Sequence, residues 1–160
     1  MKPLDAIDRR ILDALQRDGR MSNVALAEEV NLSPSPCLRR LKRLEESGVI
    51  AGYRAVLDRR RVGLGLTLFV GIKVTGHSEE LANSLEKALN EMDEVVGAHI
   101  VSGPAADFLV EVVVPDLAAY EQLLLKKLLT LPGVADVNSN FALRTIKSSG
   151  PLPLDHLRDA

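Results

Sequence analysis

The apolar residues of this chain change period part-way along, and no purely helical or purely β architecture accommodates both parts. From Asp5 to Gly48 they recur at helical spacing: Ile7, Ile11 and Leu15, with Leu12 beside them, then Val24, Leu26, Ala27 and Val30, then Cys37, Leu41 and Leu44. Such spacing lines one face of an α-helix. From Leu66 the period is two, with Leu66, Leu68, Val70, Ile72 and Val74 alternating with Thr67, Phe69, Gly71 and Lys73. That is the pattern of a strand with one covered face. We therefore expect two small domains in 160 residues: a helical one over 1–52 and a mixed one over 66–147, joined by a strand and linker over 53–65. The tail, 148–160, carries Pro151 and Pro153 and continues neither period.

The formal charge of −2 is unevenly shared. Residues 1–62 hold 13 Lys and Arg against 9 Asp and Glu, whereas residues 63–160 hold 7 against 13. A polyanionic partner at the N-terminal end is the reading this asymmetry suggests. With 46% hydrophobic and 26% charged residues the chain is globular in composition, neither disordered nor collagen-like. No apolar run approaches the roughly 20 residues of a membrane span. Asp5 and Asp8 stand where a signal peptide needs an apolar core. A lone cysteine, Cys37, fits a reducing compartment, so a cytoplasmic protein is expected.

Within the helical part, Asp5 is placed to cap a first helix that Gly19 stops, and Ser22 to cap a second. Asn31 tolerates the left-handed backbone of a tight turn, and Leu32 can tuck beneath it. Ser33 then caps a third helix with Pro34 at its first position and Gly48 at its end. Two steeply crossing helices on a short turn need a small residue at their close approach and a residue accepting positive φ. Ala27 and Asn31 fit those places, which gives a helix-turn-helix over roughly 23–42. The outer face of the third helix carries Arg39, Arg40, Lys42 and Arg43, with Ser35 and Pro36 at its amino end. In a recognition helix the amino-terminal residues reach base edges and flanking cations grip phosphate. Ser35, Pro36 and Arg39 are thus candidates for base-edge or groove-floor contacts. Arg40, Lys42 and Arg43 are candidates for phosphate contacts or for ion pairs inside the domain, and Arg39 and Arg43, one turn apart, project together. A charge run alone is more often a solvated face; joined to the turn pattern it favours double-stranded DNA.

Gly52–Leu57 reads as a short strand leaving the helices, and Asp58–Arg61 with Gly63 and Gly65 as the boundary, its arginines solvated rather than on phosphate. Beyond it come a helix over 78–91, strands over 95–101 and 108–114, a helix marked by Leu117, Tyr120, Leu124 and Leu128, and a strand over 134–144. An offset of 39 residues superposes the halves, placing Phe69 on Phe108, Leu85 on Leu124, Leu89 on Leu128 and Val95 on Val134. The order β-α-β-β-α-β is that of a ferredoxin-like domain, and the fold class is α+β. Two helices cover one face of such a sheet. Its strands are strongly apolar, so we expect the other face to be covered by a second copy in a homodimer.

No catalytic constellation is found. His77, His99 and His156 are isolated, with no metal-ligand spacing, so neither a metal nor a cofactor is expected. Cys37 reads as a small buried hydrophobe, and Gly63-Leu64-Gly65 lacks the residues of a phosphate loop. Five aromatics without a stacking pattern argue against single-stranded RNA. One loop stands out: Ser102-Gly103-Pro104-Ala105-Ala106-Asp107. Its small residues let a ligand approach the backbone, amides can meet a carboxylate, and Asp107 can meet an ammonium. The same residues also make a β-turn in which Asp107 bonds only its own loop, and spacing alone favours that turn.

Several stretches together resemble the Lrp/AsnC, or feast/famine, transcriptional regulators. They are Leu4–Leu12, Asp18–Asn23, Leu32–Glu45, Gly48-Val49-Ile50 and Gly52-Tyr53, then Val101-Ser102-Gly103, Val114-Pro115-Asp116, Tyr120 and Leu131–Val134. The resemblance extends to about Lys147. It implies a winged-helix-like DNA-binding domain joined by a strand to a ferredoxin-like effector domain. It further implies homodimers that gather into tetramers or octamers, a nucleoid-associated cytoplasmic location, and an amino-acid effector held by Ser102–Asp107 near the contact between dimers. The family loop reads Gly-x-x-Asp-aromatic, whereas three residues separate Gly103 from Asp107 here. The expected function is sequence-specific DNA-binding regulation in which assembly or DNA affinity responds to a small molecule. Its rivals are an architectural DNA-binding protein without an effector and an enzyme on the ferredoxin-like domain, against which the missing acid, base and metal ligands speak.

Overall fold

The computed structural model describes residues 3–159, which form two compact units. One holds the chain up to Val56 together with Lys147 onward, and the other holds Leu57–Ile146.

The first unit is built on α1 (Ala6–Arg17), α2 (Asn23–Glu29) and α3 (Pro34–Glu46). Asp5 caps α1, accepting the Ile7 and Asp8 N–H groups at 3.0 and 2.9 Å, and Asp8 returns a bond to the Asp5 N–H. This reciprocal box satisfies donors that a helix start otherwise leaves open. Gly19 does not end α1 through a left-handed turn: the cap is Asp18, in extended backbone, whose N–H still reaches the Ala14 carbonyl at 3.0 Å. Gly19 instead passes under Tyr53, where a Cβ would stand 3.4 Å from the ring. Ser22 caps α2 through the Ala25 N–H, and Asn31 closes it at φ 56°. The Leu32 N–H reaches the Ala27 carbonyl at 2.8 Å and the Asn31 N–H reaches Glu28 at 3.2 Å, a paired closure that turns the chain sharply into α3. Ser33 stands at the α3 cap position without capping. The third helical residue is Pro36, which has no N–H to give the hydroxyl.

Ile11, Ala14, Leu26, Ala27, Val30, Cys37 and Leu44 form the core of this unit. Ile11, Leu26, Val30 and Leu44 are wholly buried, each favourable by roughly 1.5–3 kcal/mol before conformational entropy is counted. The expected strand over Gly52–Leu57 is absent; its backbone pairs with no strand among the described residues, and Val56 and Leu57 are exposed. A strand exists only where a neighbour takes its N–H and carbonyl groups. The tail lies against α1. Gln16 donates to the Leu152 carbonyl at 3.3 Å and accepts its N–H at 2.6 Å, Leu154 packs on the core, and a 3-10 helix spans Asp155–Asp159.

The second unit is a four-stranded antiparallel sheet in the order β2-β3-β1-β4, formed by β1 (Leu66–Val74), β2 (Val95–Ile100), β3 (Phe108–Val114) and β4 (Val134–Phe141). Helices α4 (Glu79–Asn90) and α5 (Leu117–Lys126), with a 3-10 turn at Leu128–Thr130, complete it. Register sets Leu68 opposite Val112 and Val70 opposite Val110, so the alternate residues of β1 and β3 meet Leu85, Leu89, Tyr120, Leu123 and Leu128 in one core. Gly133, at φ 75°, leaves the space where a Cβ would strike Leu81. The opposite face is mixed: Phe69 and Leu109 are exposed there, beside Thr67, Lys73, Glu111, Asn138 and Asn140. Arg59 crosses part of it, donating to Glu111 at 2.8 Å and to Thr67 at 3.3 Å.

Candidate nucleic-acid interface and ligand loop

Three stripes run along α3. Cys37 and Leu44 are buried, with Leu41 beside them. Ser35, Leu38, Arg39, Lys42 and Glu46 form an exposed stripe, and together with Arg40 and Arg43 they line a shallow groove. Between the two lie Pro36, Arg40 and Arg43, all half-buried. Among the described residues Arg39 and Lys42 have no ion-pair or hydrogen-bond partner for their side chains.

Arg40 and Arg43 are different: both meet the Asp8 carboxylate of α1. Arg40 reaches Asp8 Oδ1 at 2.8 Å and Asp5 Oδ2 at 2.7 Å, and Arg43 meets Asp8 Oδ2. Arg39 and Arg43, one turn apart, thus differ in that Arg43 is paired with Asp8 and Arg39 has no partner among the described residues, although both line the groove. Partial burial works against ionisation of Asp5, but the Asp8 N–H and the Arg40 guanidinium outweigh it and hold the carboxyl below its usual range. Asp8 was missed by sequence reasoning. In the sequence it stands only as an acid ahead of an apolar stripe, and its burial against two arginines appears only once α1 packs on α3.

In the second unit the 102–107 loop has an exposed tip and an anchored end. Ser102 to Ala105 are exposed and Ala106 is buried. Ala106 sits over β1 where a Cβ on Gly71 would approach within 3.1 Å of its own. The Asp107 N–H donates to the Ile72 carbonyl, and the Val101 N–H to the Asp107 carbonyl, each at 2.9 Å. The Asp107 carboxylate accepts the Val74 N–H at 2.9 Å and Lys73 Nζ at 3.1 Å. The Val74 N–H, with Lys73 and His77, outweighs desolvation and holds this carboxyl below its usual range. Asp107 thus bonds across to β1, not only into its own loop. Gly71 and Lys73, its supports, were not among the residues singled out from the sequence. Among the described residues no backbone bond uses the N–H of Ser102, Gly103 or Ala105. Beside the loop is a cleft of about 300 Å³ lined by Val74, His77, Leu81, Ile100, Asp107 and Phe108, among others.

Comparison with known proteins matches both units. Residues 4–51 match the winged helix-turn-helix DNA-binding family, and residues 67–152 the Lrp/AsnC ligand binding domain. Over 151 residues the chain is 42% identical to the leucine-responsive regulatory proteins of Escherichia coli (strain K12) and Klebsiella pneumoniae, covering 94% of this chain and 92% of each relative. A transcriptional regulator of Neisseria meningitidis, solved as a complex with L-Met, superposes with a TM-score of 0.91 at 38% identity, over 96% of this chain and 99% of that one. An AsnC family transcriptional regulator of Agrobacterium tumefaciens gives 0.89 at 39% identity, over 95% and 98%. A helix-turn-helix with an exposed basic edge, followed by a domain of this ligand-binding type, defines a DNA-binding transcriptional regulator rather than an enzyme. The chain belongs to the Lrp/AsnC family. Among the described residues no helix is long and apolar enough to cross a membrane.

Proposed function

We propose that this regulator binds double-stranded DNA through α3 and an apolar α-amino acid at the 102–107 loop. The observation that carries the DNA half is the exposed stripe of Ser35, Arg39 and Lys42, whose two cations have no internal partner. Ser35, Pro36 and Arg39 lie in the first half of α3, where a helix laid in the major groove meets base edges, and Lys42 follows for phosphate. Arg40 and Arg43, committed to Asp8, serve the domain.

At the loop, the free N–H groups of Ser102, Gly103 and Ala105 suit a carboxylate, with Pro104 shaping the tip. Asp107 and Ala106 hold the loop to β1. Leu81, Ile100 and Phe108 in the adjoining cleft suit an apolar side chain. The relatives named for leucine and the neighbour solved with L-Met support this class of effector. Exposed Phe69 and Leu109, the unpaired Gly52–Leu57 segment and exposed Leu143 and Ile146 support a homodimer, with tetramers or octamers built from it. The regulator then works in the cytoplasm on the nucleoid. An effector that binds one assembly better than another shifts DNA affinity by linkage.

A fluorescence-anisotropy titration tests the reading. A labelled duplex from upstream of the protein's own gene is compared with a scrambled duplex at ~0.15 M salt, where nonspecific binding is weakened. We expect tighter binding to the upstream duplex, an affinity or sedimentation shift with leucine or methionine, and a loss of about 1–3 kcal/mol of discrimination in Arg39→Ala. Equal binding to both duplexes, indifferent to amino acids, would leave an architectural DNA-binding protein instead.

A further inference from the structure

Asp8 is a wholly buried charged residue, and both cations on its carboxylate come from α3. Its two oxygens take Arg40 and Arg43, and the Asp5 N–H completes the set. A buried carboxylate is tolerated only when paired and hydrogen-bonded. A core of this size could be closed there by an apolar residue. Instead α1 presents a charge that engages two of the four cations on α3, and leaves Arg39 and Lys42 without partners.

We propose that Asp8 is a positioning residue for DNA recognition: by holding Arg40 and Arg43 it keeps them off phosphate, so that α3 meets DNA with Arg39 and Lys42 alone. The consequence is a balance between attraction and reading. Every phosphate contact adds affinity for any sequence, whereas base contacts add it for one. Withholding two arginines lowers binding to arbitrary DNA and raises the share of affinity that depends on sequence. This rests on α3 being the reading helix, as proposed above.

The measurement is the salt dependence of binding to a random-sequence duplex, beside a duplex enriched by selection from a random pool, with the full chain throughout. Each phosphate contact contributes about 0.9 to the slope of log K against log salt. Lys42→Gln should make the slope shallower by about that amount. Arg40→Gln and Arg43→Gln should leave it unchanged, because neither arginine is on phosphate; each variant also keeps one arginine on Asp8 and so stays folded. Asp8→Asn should steepen it by about 0.9, because Arg43 loses its one carboxylate partner while Arg40 keeps Asp5, tighten binding to the random duplex, and shrink the preference for the selected one. A residue that merely stabilised the fold would weaken both duplexes together and leave the slope alone.

Arg40→Gln or Arg43→Gln flattening the slope as Lys42→Gln does would overturn the proposal. So would a folded Asp8→Asn protein, checked by circular dichroism, whose slope matched the parent. If Asp8→Asn did not fold, the two arginine variants would decide. Failure of the parent protein to bind either duplex would instead strike the reading of α3 itself.

Discussion

Asn31, at φ 56°, occupies left-handed backbone that costs most residues about 1–2 kcal/mol, and the turn between α2 and α3 depends on it. Asparagine lowers that cost through its short polar side chain. Asn31→Val should therefore destabilise the helical unit by about 1–2 kcal/mol, and Asn31→Gly by a few tenths at most, read as shifts in its urea midpoint. Equal midpoints for all three would remove Asn31 from its place in the turn. This residue was legible in the sequence because its role is local. Ser33 was less so: the serine-proline signature of a helix start is present, yet Pro36 removes the donor its hydroxyl would use. Cys37 is buried as expected, and burial raises its thiol pKa, which leaves it in the unreactive form.

The 102–107 loop and β1 act as one piece. The native pKa of Asp107 is lowered, so the carboxylate form favours the anchored loop, and that contribution is present above the ordinary aspartate value. It is lost as pH falls through the lowered native value. We expect the backbone amide signals of residues 73–74 and 101–108 to move together below about pH 4, and Asp107→Asn to show the same altered positions already at pH 7. Amide signals of Asp107→Asn that matched the parent at neutral pH would detach the carboxylate from the anchoring. The loop was visible in the sequence by its small residues. Its support was not, since Lys73 and Gly71 belong to a strand some thirty residues earlier and read there as ordinary alternation. The Gly52–Leu57 segment shows the converse. Its composition is that of a strand, but composition cannot supply the neighbour that makes one.

The chain passes between its two units twice, once near Val56 and again near Lys147. The second passage brings the tail to α1, where Leu154 joins the helical core and Leu152 pairs with Gln16. A chain ending at Lys147 should thus lose about 1–2 kcal/mol from the helical unit, the worth of a partly buried leucine and its neighbours, and nothing from the sheet unit. Hydrogen exchange reads the two separately: α1 amides should exchange faster and β1 and β3 amides at the parent rate. Unchanged protection in α1 would mean that the tail adds nothing to its stability. The tail is held to α1 by hydrogen bonds and apolar packing alone, so these contacts are what truncation removes.

What was legible in the amino-acid string is whatever repeats or terminates within a few residues. The α+β class, the three helices around Asn31 and Ala27, the alternation of Leu66–Val74 and the order β-α-β-β-α-β all follow from periods of 3.6 and 2 and from caps whose partners lie within one turn. The pairings were not legible. Arg40 and Lys42 are two positions apart and both cations, yet one is held by a carboxylate 32 residues away and the other has no partner among the described residues. Lys73 finds Asp107 across 34 residues, and Gln16 finds Leu152 across 136. No local rule can distinguish a cation that folding brings against a buried acid from one it leaves in water. That distinction arises when α1 packs on α3 and Asp8 meets Arg40 and Arg43.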